Sequence, residues 1–189
     1  MTKPKIFIFP GNGDSHIDAP DLWYAWVRDE LKKRGYEVFA EDMPDAHLAR
    51  AIVWLPYMAE VIGGDTNVIL IGHSSGAVAI LRYLENHRSL GAIIVGANHT
   101  DLGFVEEKLS GYYQDPWEWA KIKANTQWIA QFCSTDDPYI PLSEPRYIHE
   151  QLGTDYHELE GRGHFMVPHN PINNKFPEII DVIETKVKT

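Results

Sequence analysis

One stretch restricts the fold more than any other. Asn67–Ile71 runs directly into Gly72-His73-Ser74-Ser75-Gly76, after which Ala77, Ile80, Leu81 and Leu84 recur at helical spacing. The first segment is almost wholly apolar, which suits a strand buried on both faces rather than one with a wet side. A strand that passes through a tight turn into an amphipathic helix is half of a βαβ unit, and such units build parallel sheets covered by helices.

The rest of the chain repeats this alternation. Lys5–Phe9 is a short β-branched and aromatic run ended by Pro10-Gly11-Asn12-Gly13, a strand stopped by a turn. Residues 21–34 place Leu22, Trp23, Trp26, Val27, Glu30 and Leu31 at helical spacing, with Gly35 as the stop. Tyr36–Ala40, Ala92–Val95, Trp128–Cys133 and Asp155–Leu159 read as further strands. Helical patterns cover 45–62, 117–124, 143–152 and 176–187, and Pro56 is expected to break or kink the first of these. The expected architecture is a compact three-layer α/β sandwich with a mostly parallel sheet of five to six strands. Its length of 189 residues suits a single domain, 1–189. Residues 97–116 form the longest irregular stretch, and long loops in compact domains are often functional.

Charge and composition narrow the partners. Lys and Arg number 17 against 27 Asp and Glu, a formal net charge of −10. That balance argues against nucleic acid and against docking on anionic lipid, both of which want basic surfaces. The longest apolar runs, Ile6–Pro10, Val68–Ile71 and Ala92–Ala97, fall far short of the ~18–20 residues that span a bilayer. The apolar run near the N-terminus is also too brief for a secretory signal. The one cysteine, Cys133, can form no internal disulfide, which fits a reducing compartment. A cytoplasmic protein is expected, and protein partners are left open.

The pentapeptide at 72–76 fits G-x-S-x-G. In that motif the serine sits on a strained strand-to-helix turn, and both glycines are needed because side chains there would strike neighbouring backbone. A serine hydroxyl needs a base to become a nucleophile. Ser134-Thr135-Asp136-Asp137-Pro138 follows the fifth strand and Gly161-Arg162-Gly163-His164-Phe165 follows the sixth. The chain order Ser, Asp, His is that of an α/β-hydrolase, and each candidate stands at the C-terminal end of a strand, where open parallel sheets collect their sites. Ser74 is then the nucleophile and His164 the base. Either Asp136 or Asp137 could orient the imidazole, and spacing alone does not choose between them. The backbone N–H groups of Ser75 and Asn12 are the candidate oxyanion donors. His73, beside the nucleophile, reads as structural.

Several stretches together resemble one family. They are Pro10-Gly11-Asn12-Gly13, Trp23-Tyr24-Ala25-Trp26-Val27, Trp54-Leu55-Pro56, Gly72–Ala77, Ser110-Gly111-Tyr112-Tyr113, Pro116-Trp117-Glu118-Trp119, Lys121–Asn125, Ser134–Pro138 and Gly163-His164-Phe165. The family is the small serine hydrolases related to retinoblastoma-binding protein 9, with the Bacillus YdeN-type proteins in the same group. The resemblance implies a compact α/β-hydrolase without a large cap domain and a triad of Ser74, Asp137 and His164, which selects the second aspartate. The L-x-C-x-E motif for which vertebrate members were named is absent, since Cys133 lies in Gln131-Phe132-Cys133-Ser134-Thr135. Retinoblastoma-type binding is therefore not carried over.

The expected activity is hydrolysis of small carboxylic esters or amides through an acyl-enzyme. The segment between the fourth and fifth strands is too short for a large cap, which favours small acyl groups. Phe104, Tyr112, Tyr113 and Phe165 flank the presumed site and are candidates to line it. Gly11-x-Gly13 is followed by His16 where a dinucleotide fingerprint needs a third glycine, and His157, His164 and His169 lack the spacing of a helical zinc motif. No cofactor and no metal are expected. Because a fold does not fix a function, the alternative is a binding scaffold with an idle triad.

Overall fold

The computed structural model describes residues 2–13 and 16–187. Six strands form one sheet: β1 (Lys5–Phe9), β2 (Val38–Ala40), β3 (Val68–His73), β4 (Gly91–Val95), β5 (Ile129–Ser134) and β6 (Asp155–Leu159). Their order is β2-β1-β3-β4-β5-β6 and every pairing is parallel. The helices are α1 (Tyr24–Lys33), α2 (Ala51–Ile62), α3 (Ser75–Leu84), α4 (Val105–Ser110), α5 (Trp119–Ala124), α6 (Ser143–Leu152) and α7 (Pro177–Val187), with a 3₁₀ turn at Pro171–Asn174.

Strand side chains alternate between two cores. Phe7, Phe9, Leu70 and Ile94 face α2, α3, α5 and α6. Ile6, Ile8, Ile69, Ile71 and Ile93 face α1 and α7. The central strands carry no polar face because both sides are covered. All of Val68–Ile71 is fully buried, and each such side chain contributes about 1.5–3 kcal/mol relative to exposure.

The order of strands places a switch point between β1 and β3. From β1 the chain crosses to β2 on one side, then returns to lay β3 on the other. Connections leaving β1 and β3 diverge there, opening a crevice at their C-terminal ends. The loop Pro10–Gly13 and the turn at Ser74 meet at this point.

Three expectations change. The helix expected over 45–62 begins only at Ala51. The helix α2 is not broken at Pro56. Proline removes the hydrogen bond to the carbonyl of Ile52, a residue 82% exposed, so water can satisfy that carbonyl. The region 97–116 is not wholly irregular but contains α4. It is held from beneath by Arg82 of α3, whose guanidinium donates to the carbonyls of Tyr112 (2.7 Å), Asp115 (2.6 Å) and Pro116 (3.2 Å). The same group pairs with Glu85 at 2.7 Å and lies 3.7 Å over the Trp117 ring. Only α4 and α5 stand between β4 and β5, so no large cap is built there.

Helix α3 approaches the end of β1 closely at Gly76. A Cβ added there would lie 2.3 Å from the Phe9 carbonyl oxygen and 2.5 Å from that of Pro10. Backbone, unlike a flexible side chain, cannot swing away. Gly76→Ala is expected to cost about 1–3 kcal/mol or more through overpacking. Urea unfolding measures it, and a midpoint equal to wild type would refute the close approach.

Candidate active site

Ser74 sits where β3 ends and α3 begins, with φ 53° and ψ −121°. A serine in that region is strained, a state that survives only when its surroundings enforce it. Both neighbouring glycines do so. A Cβ at Gly72 would lie 2.6 Å from the Gly76 carbonyl, and one at Gly76 would strike β1. The Ser74 N–H donates to the Val95 carbonyl at the end of β4 (2.8 Å), while its own carbonyl accepts from Ala77 (2.9 Å) and Val78 (3.1 Å). Ser75 is the first residue of α3, so its N–H is one of the orphan donors at the positive end of that helix. Gly11 packs directly on the elbow, with room for a Cβ only at 3.3 Å from the Ser74 Cβ.

The two adjacent aspartates after β5 take different partners. Asp137 accepts a 2.7 Å hydrogen bond from Nδ1 of His164 through Oδ2. Its Oδ1 accepts from the N–H groups of Tyr139 (2.9 Å) and Ile140 (3.1 Å). Both members of the pair are buried, with side chains 3% and 8% exposed. Asp136 instead holds backbone: its Oδ1 accepts from the Ser134 hydroxyl (2.6 Å) and the Gly163 N–H (3.0 Å). The Ser134 Oγ in turn accepts from the Arg162 N–H at 3.0 Å. One aspartate therefore grips the ring of the histidine loop and the other grips its main chain. His164 also donates its N–H to Nδ1 of His169 (2.9 Å). Gly96, at φ 58°, leaves space beside the imidazole, where a Cβ would stand 3.1 Å from Cε1.

Ser74 and His164 both line a cavity of about 350 Å³, with Gly11, Asn12, His73, Asn98 and Phe104 among its walls. Phe104, 47% exposed, is one of its lining residues. Tyr112 and Phe165 are not in its lining and correct the sequence reading. Tyr112 is 1% exposed and belongs to the core shared with α2 and α3. Phe165 is fully buried and stacks on Phe176 with ring centroids 5.3 Å apart. A loop aromatic gains more by completing a core than by facing water, and spacing does not reveal which way it turns. Tyr113 lies behind the wall, donating to Oε2 of Glu107 (2.9 Å) and accepting from Nδ2 of Asn98 (2.7 Å).

Sequence reasoning missed the acidic wall. Glu106 and Glu107 line the cavity from α4, and Leu102, Tyr139, Ile140 and Met166 complete it. Burial raises the Glu107 carboxyl above its ordinary value, against the Tyr113 hydrogen bond. The signal available was the long 97–116 loop, which marked the region without singling out a residue. Among the described residues no group of three or more His, Cys, Asp or Glu is placed to hold a metal ion. No helix among them is long and apolar enough to cross a membrane.

A family model described as serine hydrolase matches residues 6–184. The chain belongs to the serine hydrolase family. It is 42% identical over 187 residues to serine hydrolase RBBP9 of Rattus norvegicus, covering 98% of this chain and 97% of that one. Among solved structures it resembles the ydeN gene product of B. subtilis with a TM-score of 0.88 at 23% identity, covering 98% of this chain and 100% of that chain. A carboxylesterase structure from the thaumarchaeon Nitrososphaera gargenis matches with a TM-score of 0.71 at 13% identity, over 97% and 89% of the two chains. The architecture of this family member is therefore the α/β-hydrolase fold.

The hydrogen bonds to Asp136, first from the Ser134 hydroxyl and then from the Gly163 N–H, hold its carboxyl below the ordinary 3.8. A depressed folded-state pKa contributes stability that is present above the unfolded value and is lost as pH falls through the folded one. Asp136→Asn keeps an acceptor oxygen but removes the titration. Its stability should therefore fall less steeply than wild type below pH 3.8. Urea midpoints across the acid range read this, and parallel curves for the two proteins would exclude it.

Proposed function

We propose that this serine hydrolase cleaves small carboxylic esters or amides through an acyl-enzyme formed on Ser74. The observation that carries the reading is the buried 2.7 Å contact between His164 and Asp137 beside a serine held on a strained elbow in the same cavity. Asp137 accepts from Nδ1, so the neutral imidazole carries its proton there and leaves Nε2 bare to act as base.

The Ser74 Oγ attacks the substrate carbonyl carbon while Nε2 of His164 takes the hydroxyl proton. The carbonyl electrons move to oxygen, and the N–H groups of Ser75 and Asn12 stabilise that oxyanion. Collapse breaks the bond to the alcohol or amine, which leaves with the proton from His164. Water then repeats the sequence on the acyl-enzyme and frees the acid. The cavity of about 350 Å³ lies at the small end for ligand sites and suits a short acyl group. The carboxylates of Glu106 and Glu107 favour substrates that bring a positive charge or hydrogen-bond donors to that wall.

A fluorophosphonate probe is expected to label wild-type protein at Ser74 and not the Ser74→Ala variant, whose hydrolysis should fall on the order of 10⁴-fold or more. A folded wild-type chain that never labels would favour the scaffold alternative. For the acidic wall, Glu107→Gln is expected to raise KM for a cationic aminoacyl ester by roughly tenfold and to leave a neutral ester of equal size unchanged. Equal effects on both esters would remove Glu107 from substrate selection.

A further inference from the structure

His73 is 2% exposed, stands at the end of β3 beside Ser74, and takes part in no step of the proposed reaction. Its two ring nitrogens nonetheless reach two separate loops. Nε2 lies 3.0 Å from the His164 carbonyl oxygen, and Nδ1 lies 2.6 Å from the Tyr24 hydroxyl. That hydroxyl is in turn 3.1 Å from the Gly11 N–H.

The donors can be assigned from the partners alone. A carbonyl only accepts, so Nε2 carries the proton. The Gly11 N–H only donates, so it takes a lone pair of the Tyr24 oxygen and leaves the hydroxyl proton for Nδ1. Every donor then meets an acceptor with the ring neutral. Burial and the neighbouring His164, whose ring centroid is 4.9 Å away, both disfavour a charged His73, and His169 adds to this. Trp23 packs edge-on against His73 (6.0 Å) and Tyr24 (4.7 Å), and Tyr24 itself is fully buried, so the bridge rests on a rigid part of the core.

The geometry points to Tyr24 and His73 as positioning residues: a neutral bridge from Gly11 through both side chains to the His164 carbonyl sets the oxyanion loop and the base loop around Ser74. This rests on the hydrolase reading. Gly11 immediately precedes Asn12, whose N–H is the proposed second oxyanion donor. The His164 carbonyl belongs to the residue that carries the base. Ser74 is joined to His73 by one peptide bond. The three groups that must meet within a fraction of an ångström arise from three strand ends, and this bridge connects them directly. Misplacement of such groups by about 1 Å can cost 10²-fold in rate.

The test is kinetic and uses the full chain. Tyr24→Phe keeps the ring and removes the bridging oxygen. Its kcat and its fluorophosphonate labelling rate, per folded molecule, should fall about 10–100-fold with little change in KM. His73→Gln can keep an N–H near the ε position and should retain more activity than His73→Phe. A merely structural role would lower Tm in these variants while leaving kcat per folded molecule at the wild-type level, and that result overturns the proposal. Should the variants fail to fold, nitrogen NMR of the wild-type imidazoles decides. His73 should stay a neutral Nε2–H tautomer from about pH 5 to 8, a range in which an unperturbed histidine titrates. A protonated Nδ1, or titration of His73 in that range, overturns the bridge. Absence of labelling in wild type would defeat the hydrolase reading itself, whereas normal wild-type labelling with an unimpaired Tyr24→Phe defeats only the bridge.

Discussion

The structure depends on how closely α3 lies on the sheet. The space between Gly76 and the carbonyls of Phe9 and Pro10 is too small for any side chain, and Gly72 meets the first turn of the same helix. That contact forces the chain from strand to helix in a single residue and leaves Ser74 in a backbone region that serine avoids. It also brings the end of β3 against the loop leaving β1, so that Gly11 touches the elbow. A larger residue at either glycine would separate the helix from β1, and the serine would no longer share one crevice with the Pro10–Gly13 loop.

Around this point the loops are held by polar contacts as well as by apolar packing. Asp136 and Asp137 hold the loop after β6 by its main chain and by its imidazole. Glu144 of α6, itself buried, accepts from the N–H groups of His99 and Thr100 after β4. Arg82 holds the 112–116 carbonyls from below. Buried polar groups are costly when unpaired, so the contacts of Glu144, Arg82 and the Asp137–His164 pair each specify one arrangement and penalise the others. The outcome is a cavity with defined walls on a fold that has no large cap to shape it.

The walls differ in character. Ser74 and His164 come from strand ends and the carboxylates of Glu106 and Glu107 from α4, with the Asn12 side chain reaching Oε1 of Glu107 at 3.5 Å. An acidic wall made by a six-residue helix is a feature of the loop after β4 and not of the sheet. Loop segments carried on a rigid sheet can vary without moving the strand ends beneath them.

The sequence by itself determined the alternation of strands and helices, the bounds of β1, α6 and β6, and the elbow at 72–76. These follow from local periodicity and from glycines whose neighbours are close in the chain. It also brought Ser74, an aspartate and His164 to strand ends in a readable order. Residue types could not say which of Asp136 and Asp137 meets the imidazole, because consecutive residues on a turn point in different directions and the partner lies 27 residues away. They could not say that Phe104 faces the cavity while Tyr112 and Phe165 turn into the core, nor that Glu107 lines it. Those directions are chosen by contacts between segments distant in the chain, such as Phe176 under Phe165 and Arg82 under Tyr112, and only the tertiary structure supplies them.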